Sequence, residues 1–426
     1  MILKIEISDF LTKVVIQKSR LIFILFSSMV CAYFQVKGLG NDYRTFYSAG
    51  ISVRELESPW DVNKGNEFSA YLNGPISALI LSALALCPYE ISLFIVRVST
   101  LALLPYTIKR LFSLFRISCS SELRYYLSTL LVFTFPVRAC LEYGQLSSIY
   151  LSYFVIFIAA IKSKEKGFHL FAFGLVGCIM LDYKPQIFLP ILFFLPYRKI
   201  QFLLGFMTGV TSAWLLNFFL TGDLFFNTWI DAILKRSQTV SNRGDQMSLY
   251  SLLDLNQTET KLLLFVLISA TSVSIIRSIE SKNFNRGQRI LLSLLLWSAL
   301  TPFSHPTDML ISQLFISALA VRLSGNVNAN LVLLALGCGA VWSNSLIPSS
   351  IVFLSLILIY RNSILAKSRF SFFAQVLLLT PPIIFSLLSI RFPNLEGDAR
   401  QLLNYVSILI PVVILINRKV QIKLTT

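Results

Sequence analysis

Charge is what this 426-residue chain has least of: 14% of its residues are charged, against about 25% in a typical soluble domain. With 55% of the chain hydrophobic, a water-soluble core of this size is excluded. Histidine is nearly missing, with only His169 and His305. The six cysteines, Cys31, Cys87, Cys119, Cys140, Cys178 and Cys338, form no C-x-x-C pair and lie mostly in or beside apolar runs. They read as small core residues rather than as disulfides or metal ligands. No Walker loop, GxGxxG fingerprint, HExxH helix or G-x-S-x-G elbow occurs, so there is no sign of ATP-driven transport or of soluble nucleotide-sugar binding. No cluster of His, Cys and carboxylates has recognised ligand spacing, although ligands from separate loops would escape that test, and the metal requirement stays open. Internal repeats and low-complexity tracts are also missing.

What the chain has instead is apolar blocks, most of them roughly 12–22 residues long, about enough to cross 30 Å of hydrocarbon at 1.5 Å per residue. They fall at 21–36, 75–107, 124–140, 146–161, 168–182, 186–197, 200–221, 261–278, 290–302, 308–321, 328–345, 347–360, 370–390 and 401–417. The expected fold is an all-α polytopic integral membrane protein, a single transmembrane domain over 1–426 with about 11–14 membrane helices. The first block follows Lys4, Lys13, Lys18 and Arg20 with no A-x-A-like cleavage site after it, so a retained span is expected rather than a signal peptide. The block 75–107 carries Pro88, Glu90 and Arg97. It has room for two short helices, yet the basic segment after it needs an odd number of crossings. A broken or re-entrant segment would reconcile the two.

The formal net charge is +16. On a soluble chain that excess would suggest nucleic acid, but on a membrane chain it records topology, because cytoplasmic loops keep Lys and Arg. With the N-terminus inside and one crossing per block, the clusters Lys109/Arg110/Arg116/Arg124, Lys162/Lys164/Lys166, Arg198/Lys199 and all later ones fall on one side. The expectation is a protein of the plasma (inner) membrane with both termini cytoplasmic, contacts to membrane lipid and no nucleic-acid partner. The long polar stretches 37–74 and 222–260 then lie outside and contribute to the active-site face. Phe225, Trp229 and Ile233, like Phe226, Ile230 and Leu234, recur every four residues. That spacing suits a short interfacial helix roofing a lateral cavity, or ordinary loop packing.

Four polar features fall at helix ends on the outer side, where ionisable groups are costly and tend to mark function. Asp42, in Gly40-Asn41-Asp42-Tyr43-Arg44-Thr45-Phe46-Tyr47, is placed to act as a general base on a hydroxyl, or to cap a helix or pair with Tyr or Arg. The turn Glu142-Tyr143-Gly144-Gln145 offers close backbone approach and an amide. Lys184, beside the helix-breaking Pro185, joins an ammonium to the N–H groups of a following helix, a phosphate site. It equally suits an interface lysine. His305, between Pro302 and Pro306 in a segment ending at Asp308, suits a phosphate contact or a proton shuttle, or a structural role. Arg243 lies in the polar, Gly-containing stretch 241–246. His169 falls on the basic side and reads as structural.

In order, these features resemble the pattern of glycosyltransferase family 87, the DUF2029 group of polyprenyl-phosphate-mannose-dependent transferases with a GT-C fold. The resemblance rests on Asp42-Tyr43 with Phe46-Tyr47-Ser48-Ala49-Gly50 after the first span, Tyr71-Leu72-Asn73-Gly74-Pro75 entering the next block, Gly144-Gln145 opening a span, Lys184-Pro185, and a Ser/Pro/His segment near 301–308. The chain departs from the pattern in having Gly74-Pro75 for paired prolines, and Thr301-Pro302 with a single His305. The resemblance implies a hexosyltransferase that takes a sugar, mannose first, from a polyprenyl-phosphate donor and passes it with inversion to a hydroxyl of an envelope lipid or glycan. No cofactor is implied beyond the lipid-linked donor. Carried over by position, Asp42 is the base, and Lys184, with His305 or Arg243, contacts the donor phosphate. Tyr43, Tyr47, Gln145 and Asp308 are expected at the substrate. An envelope polysaccharide polymerase or ligase is one alternative. A lipid-linked sugar transporter or flippase is another, and would be expected to carry paired half-helices or repeats.

Overall fold

The computed structural model describes residues 18–38, 40–60, 71–114, 120–132, 135–162, 167–184 and 199–240. Among these residues every regular element is an α-helix: α1 Ser19–Val36, α2 Asn41–Arg54, α3 Pro75–Leu84, α4 Tyr89–Leu114, α5 Ser121–Val132, α6 Phe135–Tyr143, α7 Ser147–Lys162, α8 Phe168–Tyr183, α9 Ile200–Thr221 and α10 Asn227–Val240. Three of them, α1, α4 and α9, are long and apolar enough to cross a membrane. The chain is an all-α membrane protein. Leu25, Met29 and Tyr33 on α1 and Met207 and Phe219 on α9 are exposed, a surface that lipid tails solvate and water does not. Of the α4 span 56% is buried, against 22% for α1 and for α9, which makes α4 the inner pillar. The buried Thr107 hydroxyl on it finds partners within the bundle, as hydrocarbon favours: it lies 2.8 Å from the Leu103 carbonyl and 2.7 Å from the Ser152 hydroxyl on α7.

The long block 75–107 divides into two helices. Pro75 sits at the first position of α3, where its missing N–H costs nothing, and a turn through Ala85–Pro88 closes that helix after ten residues. Ten residues rise about 15 Å, half of the hydrocarbon thickness, so the single crossing of this block belongs to α4. The short helix packs instead on α2. A Cβ on Gly50 would collide with the Leu81 carbonyl, and Arg54 Nη1 donates to the Ala85 carbonyl at 2.7 Å. The block 124–140 likewise becomes two helices, α5 and α6.

Among the described residues α8 and α9 pack most extensively, and small residues make it so. Gly174 faces the Phe202 carbonyl, Gly205 the Phe171 carbonyl and Gly209 the Cys178 side chain, each with no room for a Cβ. Gly205 and Gly209 form the G-x-x-x-G spacing that lets membrane helices approach backbone to backbone. Gly205→Leu is therefore expected to force the pair apart, at a cost of about 1–3 kcal/mol or more for overpacking. The check is a lowered unfolding midpoint in detergent; an unchanged midpoint would place the pair farther apart than the structure has it.

Beyond α9, Gly222 takes a left-handed conformation (φ 69°) and ends the helix. Asp223 then accepts the Phe225 N–H at 2.9 Å and the Thr228 N–H at 2.8 Å, and these bonds hold its carboxyl below the usual aspartate range. This cap starts α10 at Asn227, so Phe225 and Phe226 of the four-residue pattern lie in the cap loop. Trp229 turns inward: its indole N–H donates to the Leu72 carbonyl at 2.9 Å, and its ring lies 6.5 Å from that of Trp60.

Candidate active site

Asp42 lies in the first turn of α2, where the N-terminal end of the helix dipole favours a carboxylate. It is half-buried, and the side-chain amide of Gln145 donates to its Oδ2. Residues 103 positions apart are thus brought into direct contact by the fold. The approach depends on Gly144, whose φ of 71° is left-handed and whose missing side chain lets the turn lie against Tyr43. The turn is closed by Gln145 N–H donating to the Cys140 carbonyl at 2.9 Å.

Tyr43 is fully buried behind the carboxylate, its hydroxyl paired with that of Ser92 on α4. Burial pushes its phenol up to about 12, so it remains neutral at physiological pH. Tyr47 packs edge-on to Tyr89 at 5.4 Å and donates its hydroxyl to the Cys87 carbonyl at 2.9 Å.

Lys184 is buried at the C-terminal end of α8, its ammonium 5.7 Å from the centre of the Tyr183 ring. The residues before it are tightly held. Tyr183 stacks flat on Tyr150 at 3.5 Å. Asp182 grips the start of α3, accepting the N–H groups of Ile76 at 3.1 Å and Ser77 at 2.6 Å, while Gly74 N–H donates to its backbone carbonyl at 2.6 Å. Gly74 is required there, since a Cβ would overlap the Asp182 carboxylate. The Tyr71 hydroxyl donates to the Gly74 carbonyl at 3.1 Å, and burial together with the Asp182 charge holds that phenol well above its usual range.

The turn 144–147 joins the two halves. Gln145 meets Asp42, and two residues on the Ser147 hydroxyl lies 3.4 Å from the Tyr183 hydroxyl, next to Lys184. Asp42, Gln145 and Lys184 therefore gather at one end of the bundle with the entry segment 71–75. Such a set can take a proton from a hydroxyl and neutralise an anion. His305, Arg243 and Asp308 lie outside the described residues. Among the described residues no three His, Cys, Asp or Glu side chains group as they would around a metal ion.

Two residues carry more of this arrangement than their sequence context suggests. Asp182 was visible only as a neighbour of Lys184, yet it fixes α3. Arg97, inside the apolar block of α4, is fully buried. Its Nε donates to the Leu141 carbonyl at 2.9 Å, near the end of α6, and its Nη1 to Gln35 Oε1 at 2.7 Å. The signal was present, because a charge within a span is costly enough to call for a role. Its partners, on α1 and α6, could not be read from spacing.

A protein-family model described as glycosyltransferase family 87 matches residues 71–302, more than half of the chain. The matched stretch contains the 71–75 entry, Gln145 and Lys184, and begins after Asp42. No curated protein and no solved structure matches the chain.

Proposed function

The chain belongs to glycosyltransferase family 87 and is a membrane glycosyltransferase, with a sugar donor and an acceptor; from that premise we propose that it moves a hexose, mannose first, from a polyprenyl-phosphate sugar to a hydroxyl of an envelope lipid or glycan. Asp42 takes the proton of the acceptor hydroxyl. The acceptor oxygen attacks the anomeric carbon from one face, and the bond from that carbon to the phosphate oxygen breaks on the other, its electron pair leaving with the polyprenyl phosphate. The centre inverts. Lys184, together with His305 or Arg243, balances the charge that develops on the leaving phosphate. Tyr47, Gln145 and Asp308 hold the sugars, and Tyr43 backs the base. By the distribution of Lys and Arg the protein sits in the plasma (inner) membrane with both termini cytoplasmic and this face outward.

The observation that carries the reading is the Gln145 amide on the Asp42 carboxylate, with Ser147, two residues on, meeting Tyr183 beside Lys184. The amide holds the carboxylate in one orientation. The test is incubation of the purified protein with a panel of radiolabelled polyprenyl-phosphate hexoses and a membrane lipid and glycan extract. A labelled covalent product is expected, with the mannosyl donor the most active. Lys184→Met should raise the donor KM about ten- to a hundredfold, the worth of a hydrogen bond to a charged group. Movement of labelled donor across sealed vesicles with no covalent product would refute the proposal.

A further inference from the structure

Where α1 ends and α4 begins, two membrane-crossing helices meet the same boundary, and a cavity of about 500 Å³ opens between them and the middle of α2. Its lining includes Gln35, Arg44, Tyr47, Ser48, Tyr89 and Glu90. The volume falls within the roughly 300–1,000 Å³ of small-molecule sites. Asp42, Gln145 and Lys184 do not line it.

The cavity holds two opposite charges that do not pair with each other. The Arg44 guanidinium is hydrogen-bonded to the Tyr89 hydroxyl, which itself donates to the Gly40 carbonyl at 2.9 Å. Glu90 stands in the first turn of α4, where the helix dipole favours a carboxylate. Among the described residues that carboxylate has no hydrogen-bond or salt-bridge partner. The rest of the wall is already engaged. Gln35 Oε1 accepts from Arg97 at 2.7 Å and its Nε2 donates to the Glu90 backbone carbonyl at 3.1 Å, while the Tyr47 hydroxyl donates to the Cys87 carbonyl at 2.9 Å.

Those charges select a chemistry. A simple cation would meet Arg44, and an anion, an acidic phospholipid included, would meet Glu90. A neutral ligand would cover both charges and neutralise neither, leaving their desolvation uncompensated. A zwitterion answers both: a phosphate takes the N–H fork of the guanidinium, and an ammonium donates to the carboxylate. A primary ammonium suits Glu90 better than a quaternary one, because only the former has N–H groups to donate. The position selects the source. Phe94 and Val98 follow Glu90 by four and eight residues on the same face of α4, one and two turns deeper into the membrane, and both are exposed. Acyl chains hanging from the phosphate would lie on this apolar strip. A soluble zwitterion would leave it bare.

We infer that this cavity is a binding site for a zwitterionic phospholipid with a primary ammonium, of the phosphatidylethanolamine type, its phosphate on Arg44, its ammonium on Glu90 and its chains along Phe94 and Val98. The lipid is a resident of the junction of α1, α2 and α4, and no step of sugar transfer is assigned to it.

The test counts bound lipid. Full-length wild-type protein, delipidated in detergent, is titrated with phosphatidylethanolamine, phosphatidylcholine or phosphatidylglycerol of identical chains and read by native mass spectrometry. One phosphatidylethanolamine should be retained about ten- to a hundredfold more tightly than either of the others, the worth of a hydrogen bond to a charged group. Glu90→Gln should remove that preference, and Glu90→Lys, which sets two cations in the cavity, should turn it toward phosphatidylglycerol. Arg44→Gln should weaken all three lipids, since all carry the phosphate. Glycerophosphoethanolamine, the same headgroup without chains, should not displace the lipid at equal concentration; displacement would make the ligand a soluble zwitterion and overturn the lipid assignment. The wild-type comparison holds even if a variant fails to fold. Equal retention of the three lipids, a wild-type preference for phosphatidylcholine or phosphatidylglycerol, or a phosphatidylethanolamine preference unmoved by Glu90→Gln would overturn the inference.

Discussion

Asp42→Asn is expected to leave the protein folded in the membrane and to slow sugar transfer about 10²–10⁴-fold, the contribution of a positioned general base. The two halves of that expectation come from the same contact. Asn is nearly isosteric with Asp, and its amide oxygen can still accept from Gln145, so the first turn of α2 keeps its link to the 144–147 turn. What is lost is the ability to take a proton. The loss should therefore appear in kcat, with the KM for donor and acceptor little changed. Gln145→Ala makes the complementary change, keeping the base and freeing its orientation, and should cost less than Asp42→Asn. Near wild-type turnover in Asp42→Asn would remove Asp42 from the mechanism, and would point to another carboxylate at this bundle end.

How much of this was readable before the structure depends on which physical rule governs each part. Span lengths follow from composition alone, and 200–221 and 19–36 emerge as helices within a residue or two of the apolar blocks. The block 75–107 could not be divided that way. Its break is set by Pro88 together with the packing of α3 on α2 through Gly50, and that contact pairs residues far apart in the chain. The site shows the same split. Asp42, Gln145 and Lys184 were each recognisable as polar residues at the ends of apolar runs, where hydrocarbon gives way to water. That Gln145 touches Asp42, and that Ser147 links this pair to Tyr183, depends on a left-handed Gly144 and on the packing of α2 against α6. Asp182 shows the limit of reading by type: only Lys184, two residues on, stands out in the sequence, and the fold spends the Asp182 carboxylate on the N–H groups of Ile76 and Ser77.

Arg97→Leu should produce the second large effect, at a residue that the proposed chemistry does not touch. Its guanidinium donates to the Leu141 carbonyl four residues before Gln145, and to Gln35 at the end of α1. Removing it orphans the buried Leu141 carbonyl, at about 1–3 kcal/mol, and frees the half-buried Gln35 side chain, so the unfolding midpoint should fall. The more telling loss is in position. With the end of α6 released, the 142–145 turn can shift, and a displacement of about 1 Å at a reacting group costs about 10²-fold in rate. Arg97→Lys keeps the charge without the planar fork and should recover stability better than activity. A double-mutant cycle separates this role from a purely structural one. If Arg97 acts by placing Gln145, the rate loss from Arg97→Lys should shrink in a Gln145→Ala background, because the group being placed is gone. Losses that multiply independently would confine Arg97 to holding α1, α4 and α6 together, and would leave the orientation of Asp42 to Gly144 and the turn itself.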